Sequence, residues 1–393
     1  MNKSRPKYIE LIGIGLPNRG AELLARAVMQ ACEKEFGDCV FATAQKLPEK
    51  ELKKLGLKRC LRNGAGSLQT LLDRLVKKTD GVKRRKMSYR PFSWLSLTQR
   101  DRLDIVLEQD IDLILDASGF AYGDFWGSEK ARRRLEDRRK MWQAMHKPLV
   151  FLPQSFGAFE QPGFETTLKP ALEMASCVCV RDRESARYLT PLTDKARLYP
   201  DITFLLDSVA IPRPQQPYSL FIPNAKVIES GAVTRADYIA MAQRFMDLSR
   251  SLGVEPVLLN HEGAKDLELC HELAAREQLK VLDPENALVI KATISNAEFV
   301  FSSRYHGVVS GLSTGTPVLV FGWSHKYREL LQDFGLAQWL IENTQQAEEI
   351  MLRFCQPEQL ELSKQKIAGH LPDVKKQLMH MWRWIFDTVR PNP

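Results

Sequence analysis

The sequence lacks most features that mark a special class of protein. Seven cysteines are scattered over 393 residues with no Cys-x-x-Cys pair and no Cys/His ligand spacing, which argues against a zinc module and a disulfide-built secreted domain. Reduced thiols in a cytoplasmic protein are expected instead. No apolar run approaches the ~18 residues of a membrane-spanning helix. The stretch 8–16 is interrupted by Glu10 and followed at once by Pro17-Asn18-Arg19-Gly20, so it reads as a strand entering a loop and not as a signal peptide. Low-complexity and collagen-like tracts are absent too. With 44% hydrophobic and 26% charged residues, the chain has the composition of an ordinary soluble globular protein.

What exceeds its counterpart is positive charge, with 56 Lys and Arg against 48 Asp and Glu, a net +8. Such a surplus suggests anionic ligands or surfaces. The densest basic segments are 77–102 and 130–140. The second reads as a solvated helix face, with peripheral contact to a lipid-linked acceptor at an anionic membrane surface as the alternative. No reader motif accompanies the charge, so nucleic acid is not an expected partner.

The length suits two or three domains. Short apolar runs at 8–16, 39–43, 111–116, 149–152 and 178–180 open into loops and alternate with helical spacing, which implies a parallel sheet covered on both faces. The alternation restarts with runs at 254–259, 279–282, 299–302 and 318–321. Between the two series, Pro212, Pro214 and Pro217 break all periodicity. The expected organisation is therefore an α/β chain of two Rossmann-like parallel-sheet domains facing across a cleft. Its parts are an N-terminal domain 1–207, a linker 208–218, a C-terminal domain 219–370 and an amphipathic helix 371–393. Ligands of such sheets bind beyond the carboxyl ends of strands.

The loops at those ends hold the candidate chemistry. Gly13-Ile14-Gly15-Leu16-Pro17-Asn18-Arg19-Gly20 has Arg19 where a dinucleotide fingerprint needs its third glycine, and Ala21-Glu22 where a phosphate-binding loop needs Lys and Ser or Thr. What survives is a glycine loop opening a helix N-terminus, suited to an anion or sugar hydroxyls or serving only as a turn. Ser302-Ser303-Arg304-Tyr305-His306-Gly307 leaves an apolar strand with Arg304 and His306 expected on one side of an extended segment. Arg304 offers a bidentate fork for phosphate or carboxylate and His306 a proton near neutral pH; a salt-bridged arginine and a helix-capping histidine read equally well. Arg181 follows the 178–180 run and Lys326 the 318–321 run. Gln154 and Pro200-Asp201 also sit at strand ends. No metal-ligand cluster stands out, so no metal is expected.

These blocks together resemble the polysaccharide pyruvyl transferase family: Gly15 to Glu22, Asp112 to Gly119, Gln154 to Gly157, Val180 to Ser185, Pro200-Asp201, Ser303 to Gly307 and Gly315 to Gly335. One departure is Asp116-Ala117-Ser118-Gly119, where the family usually carries adjacent glycines. The resemblance implies a GT-B-like fold and transfer of a pyruvyl group from phosphoenolpyruvate to two hydroxyls of a sugar, forming a ketal in surface or exopolysaccharide biosynthesis. It implies His306 as general acid, Arg181, Arg304 and Lys326 as phosphoenolpyruvate contacts, and Asn18, Asp201 and Gln154 on the acceptor side or in support. Phosphoenolpyruvate is then a co-substrate and no cofactor is called for. The alternatives are a GT-B-type sugar-nucleotide glycosyltransferase and a non-catalytic glycan- or membrane-associated binding protein.

Overall fold

The computed structural model describes residues 5–15, 18–61, 96–322 and 324–390. The N-terminal sheet has nine strands: β1 (Lys7–Ile12), β2 (Cys39–Thr43), β3 (Lys58–Leu61), β4 (Ile105–Leu107), β5 (Leu113–Asp116), β6 (Phe120–Tyr122), β7 (Leu149–Phe156), β8 (Cys177–Val180) and β9 (Ala196–Leu198). Their order is β4-β3-β2-β1-β5-β7-β8-β9, with β6 alongside β7. The C-terminal sheet runs β12-β11-β10-β13-β14-β15, from β10 (Tyr218–Ile222), β11 (Glu255–Leu259), β12 (Lys280–Leu282), β13 (Val300–Ser302), β14 (Val318–Phe321) and β15 (Leu340–Ile341). Every pairing between these strands is parallel. Helices cover both faces, so the central strands are buried and mostly apolar; all eight residues of β7 and all four of β14 are buried. This is the expected pair of parallel-sheet domains.

In each sheet the strand order reverses once, between β1 and β5 and between β10 and β13. The loops leaving those strands diverge there and open a crevice. The two crevices face each other.

Several boundaries differ from the sequence reading. The first strand ends at Ile12, because Gly13 turns the chain with φ +82° and a side chain there would run into Ser118. Residues 206–217 hold no regular element, but Tyr218, assigned to the linker, begins β10. The last helix is Pro357–Val389 and not 371–393. Pro357 opens it where a missing N–H is harmless. Pro372 lies inside and forfeits one hydrogen bond to Ala368, while Ile367, Val374, Leu378 and Ile385 keep the buried stripe continuous.

That helix joins the halves. Its first part docks on the C-terminal domain, where Trp339 Nε1 donates to Ser363 Oγ at 2.9 Å. Its last part lies on the N-terminal domain, with Trp384 stacked on Tyr199 at 6.1 Å and Phe386 edge-on to Phe36 at 5.1 Å.

The basic run 130–140 is only partly a solvated face. Arg138 is buried between Glu10 and Glu108, with its Nη2 2.6 Å from each, and Arg134 donates to Ser118 Oγ at 2.8 Å. Of the segment 77–102, residues 77–95 lie outside the described residues; Ser96 caps the short helix Leu97–Arg102. Among the described residues no helix is long and apolar enough to cross a membrane. All seven cysteines are free thiols.

Candidate active site

Where the two crevices meet lies a cavity of about 180 Å³. Asn18 and Gly20 reach it from the loop after β1, Ser118 from the end of β5 and Arg181 from the end of β8. His261 comes from the end of β11, Arg304 and His306 from β13, and Lys326 from β14. Among the residues named from sequence, Asn18, Arg181, Arg304, His306 and Lys326 thus line one cavity. Gln154 and Asp201 are buried beneath it.

The segment 304–306 is not extended as the sequence reading expected. A helix starts at Tyr305 and runs to Thr314, which puts His306 in its first turn. One face of the imidazole meets Gly20, where a Cβ would collide with Nδ1. Across the ring, Nε2 lies 3.6 Å from Asp201 Oδ2. Asp201 is fixed in turn: Thr203 donates to its Oδ1 through N at 3.0 Å and Oγ1 at 2.6 Å, and Arg181 Nη1 donates to Oδ2 at 3.0 Å. Burial pushes this carboxyl up, but His306, Arg181 and Thr203 outweigh burial and hold it well below the usual carboxylate range. Asp201 is therefore an anion set beside the His306 ring.

Arg181 is 9% exposed. Its Nε donates to Ser155 Oγ at 3.0 Å and its guanidinium stacks 4.2 Å from the Tyr305 centroid. Ser155 Oγ donates onward to Asp182 at 2.6 Å. Burial opposes ionisation of Asp182, yet the nearby His325 ring and hydrogen bonds from Ser155 and Ser185 bring its pKa to about 2.

Lys326 projects from the first turn of the helix His325–Asp333 into a ring of Phe120, Tyr305 and Tyr327, whose centroids lie 5.6, 5.5 and 5.5 Å from Nζ. Burial, with Arg181 and Arg304 nearby, lowers its pKa to about 7. Near neutral pH it is therefore only partly charged.

Arg304 makes the salt-bridged arrangement that was one of its two sequence readings. It grips Asp266 with Nε at 2.6 Å and Nη2 at 2.7 Å and reaches Glu262 with Nη1. Glu262 also forms a backbone bridge to Asn18 across the domains. Asn18 itself caps the helix Arg19–Phe36, accepting from Ala21 N at 3.0 Å. Gln154 Nε2 donates to Asp116 Oδ1 at 3.4 Å, beneath the loop that carries Ser118.

His261 escaped the sequence reading. It is 2% exposed, lines the cavity, and neither ring nitrogen has a hydrogen-bond partner among the described residues. Burial first, then the charges of His306, Arg304 and Arg19, pushes its pKa well below the ordinary value, so the ring is held neutral. Asn260-His261-Glu262 follows an apolar strand as Arg181 does, and the same strand-end logic would have found it. Asn224 and Lys226 after β10, and Phe125 with Trp126 in the turn after β6, also line the cavity and were missed.

No curated protein matches the sequence. Among solved structures, that of S. aureus MnaA with UDP is 12% identical with a TM-score of 0.56, covering 99% of each chain. A putative UDP-N-acetylglucosamine 2-epimerase from Listeria monocytogenes is 12% identical at 0.53, covering 93% of this chain and 91% of that one. A mutant of S. aureus TarM in complex with UDP is 10% identical at 0.53, covering 96% of this chain and 99% of that one. These likenesses show the GT-B arrangement of two facing parallel-sheet domains. A sequence model of polysaccharide pyruvyl transferases matches residues 18–325, from Asn18 through His325. That match spans most of the chain and every cavity residue discussed except Lys326 and Tyr327, and the protein belongs to the polysaccharide pyruvyl transferase family.

Proposed function

We propose that the protein transfers a pyruvyl group from phosphoenolpyruvate to two hydroxyls of one saccharide unit, in the building of a surface or extracellular glycan. The observation that carries this reading is the convergence of Arg181, Lys326 and His306 on one cavity between the sheets, with Asp201 buried beneath them 3.6 Å from His306. Phosphoenolpyruvate brings a phosphate and a carboxylate, and buried cations facing it replace the lost hydration.

His306 gives a proton to the methylene carbon of the enol, which leaves C2 electrophilic. A sugar hydroxyl adds at C2, and its proton returns to His306, which is neutral after the first step. The C2–O bond to phosphate then breaks, the electron pair leaving with phosphate. A second hydroxyl closes the ring and its proton departs with the released phosphate. Overall, one phosphoenolpyruvate and one diol give one cyclic ketal and one phosphate. Asp201 holds a negative charge 3.6 Å from His306 Nε2. The steps call on no metal or nucleotide cofactor.

The test is phosphate release from phosphoenolpyruvate with a panel of saccharides and lipid-linked saccharides, alongside binding of phosphoenolpyruvate at millimolar concentration. Turnover with one acceptor supports the reading; no turnover and no binding overturns it. The sugar-nucleotide alternative is separated by thermal shift: stabilisation by UDP or GDP and none by phosphoenolpyruvate would reverse the ranking.

A further inference from the structure

We infer that Phe125 and Trp126 form the platform on which the acceptor's pyranose ring rests. The inference deepens the transfer reaction proposed above and rests on it for the acceptor's class. Six large hydrophobic side chains are exposed among the described residues, and the two aromatics among them are these neighbours, 52% and 40% exposed. Both line the cavity that holds His306. Their rings lie 4.9 Å apart at 86°, so they present apolar surface in two directions at the cavity mouth. Apolar surface kept in water beside a reaction cavity marks a binding site. A pyranose fits it, since its C–H face is apolar and its rim of hydroxyls remains free to point inward.

The turn is built to hold the rings still. Asp124 accepts from the backbone N–H groups of Glu160 at 2.8 Å and Gln161 at 3.0 Å, while Gln161 Nε2 donates to the Asp124 carbonyl at 3.1 Å. Gly123 leaves no room for a side chain against the Gly157 backbone. A preset platform spares the ordering cost of binding. Each domain adds a cation: Lys130 Nζ lies 3.4 Å from the Trp126 centroid, and Lys226 Nζ of the C-terminal domain 4.9 Å from that of Phe125. The platform therefore spans the cleft, as an acceptor reaching both halves requires.

A lipid surface is the competing occupant. It is disfavoured because Arg132 and Arg133 are paired with Glu129 and Arg138 with buried carboxylates.

The experiment is saturation-transfer NMR on the full chain without phosphoenolpyruvate, using gluco-, galacto-, manno- and N-acetylhexosamine oligosaccharides, with anionic and neutral lipid vesicles as a separate arm. We expect one or more oligosaccharides to receive saturation at ring C–H protons. The F125A/W126A double variant should lose affinity on the order of tenfold or more, while W126F retains most of it and phosphoenolpyruvate still stabilises the double variant. Unchanged saccharide binding in the double variant, no saccharide binding by the parent chain, or ring-dependent binding to vesicles alone would overturn the platform. Ring-dependent saccharide binding without any phosphoenolpyruvate binding or turnover would uphold the platform and remove the pyruvyl reading.

Discussion

Asp201 Oδ2 lies 3.6 Å from Nε2 of His306, and the two residues belong to different domains. The proposed acid and the carboxylate beside it are thus assembled only when the two sheets face each other. His306→Gln is expected to lower kcat ~10²–10⁴-fold with phosphoenolpyruvate binding retained. Asp201→Asn should lower kcat by less and leave the KM for phosphoenolpyruvate near its original value. A rise in KM at constant kcat would instead make Asp201 a donor-binding group through Arg181.

Lys326, with its pKa at about 7, is about half charged at neutral pH. A bound phosphate dianion favours the protonated amine, so its pKa rises on binding and a proton is taken up. Donor affinity should accordingly fall as pH increases from about 7 to about 9. Calorimetry near pH 8 in two buffers of different ionisation enthalpy measures the uptake directly. Lys326→Met should abolish it; uptake that persists in this variant would assign the proton to another group.

Gly20 allows the His306 ring to sit against the first turn of the helix Arg19–Phe36, and a methyl group there would strike Nδ1. Gly20→Ala should displace the imidazole and cost turnover well beyond its effect on stability. Gly369→Ala is the contrast. It lies exposed within the last helix with open space around it, and should add roughly 1 kcal/mol of stability with turnover unchanged. Thermal denaturation and phosphate release on the two variants make the comparison.

Arg138 links Glu10 on β1 to Glu108 beyond β4, tying the sheet to the helix Asp137–Ala144. Arg138→Met leaves two carboxylates buried together, and should cost about 3–5 kcal/mol in urea unfolding. A loss below about 1 kcal/mol would mean that water reaches the pair.

Strands were legible where burial on both faces demands an unbroken apolar run: β2 and β14 match their predicted limits residue for residue. The short strands Lys58-Arg59-Cys60-Leu61 and Ala196-Arg197-Leu198, the latter at a sheet edge, were not, because charged residues interrupt their apolar runs. Tyr218–Ile222 was hidden by the prolines before it. In the cavity, residues directly after strands could be named from sequence, Arg181, Arg304, His306 and Lys326 among them. Of their partners only Asp201 was named, and not as a partner. Nothing local tells that Asp266, 38 residues before Arg304, closes on its guanidinium, or that Gly20 leaves room for an imidazole from the other domain.

The last helix gives the molecule a second crossing between its halves. The chain passes from one domain to the other through residues 206–217 and returns along Pro357–Val389. Two bodies tethered at two places keep chiefly one freedom, rotation about the line through both tethers. Any opening of the cleft is thereby steered into a single swing, which would carry His306 and Lys326 away from Asp201 and Arg181 together and bring them back in register.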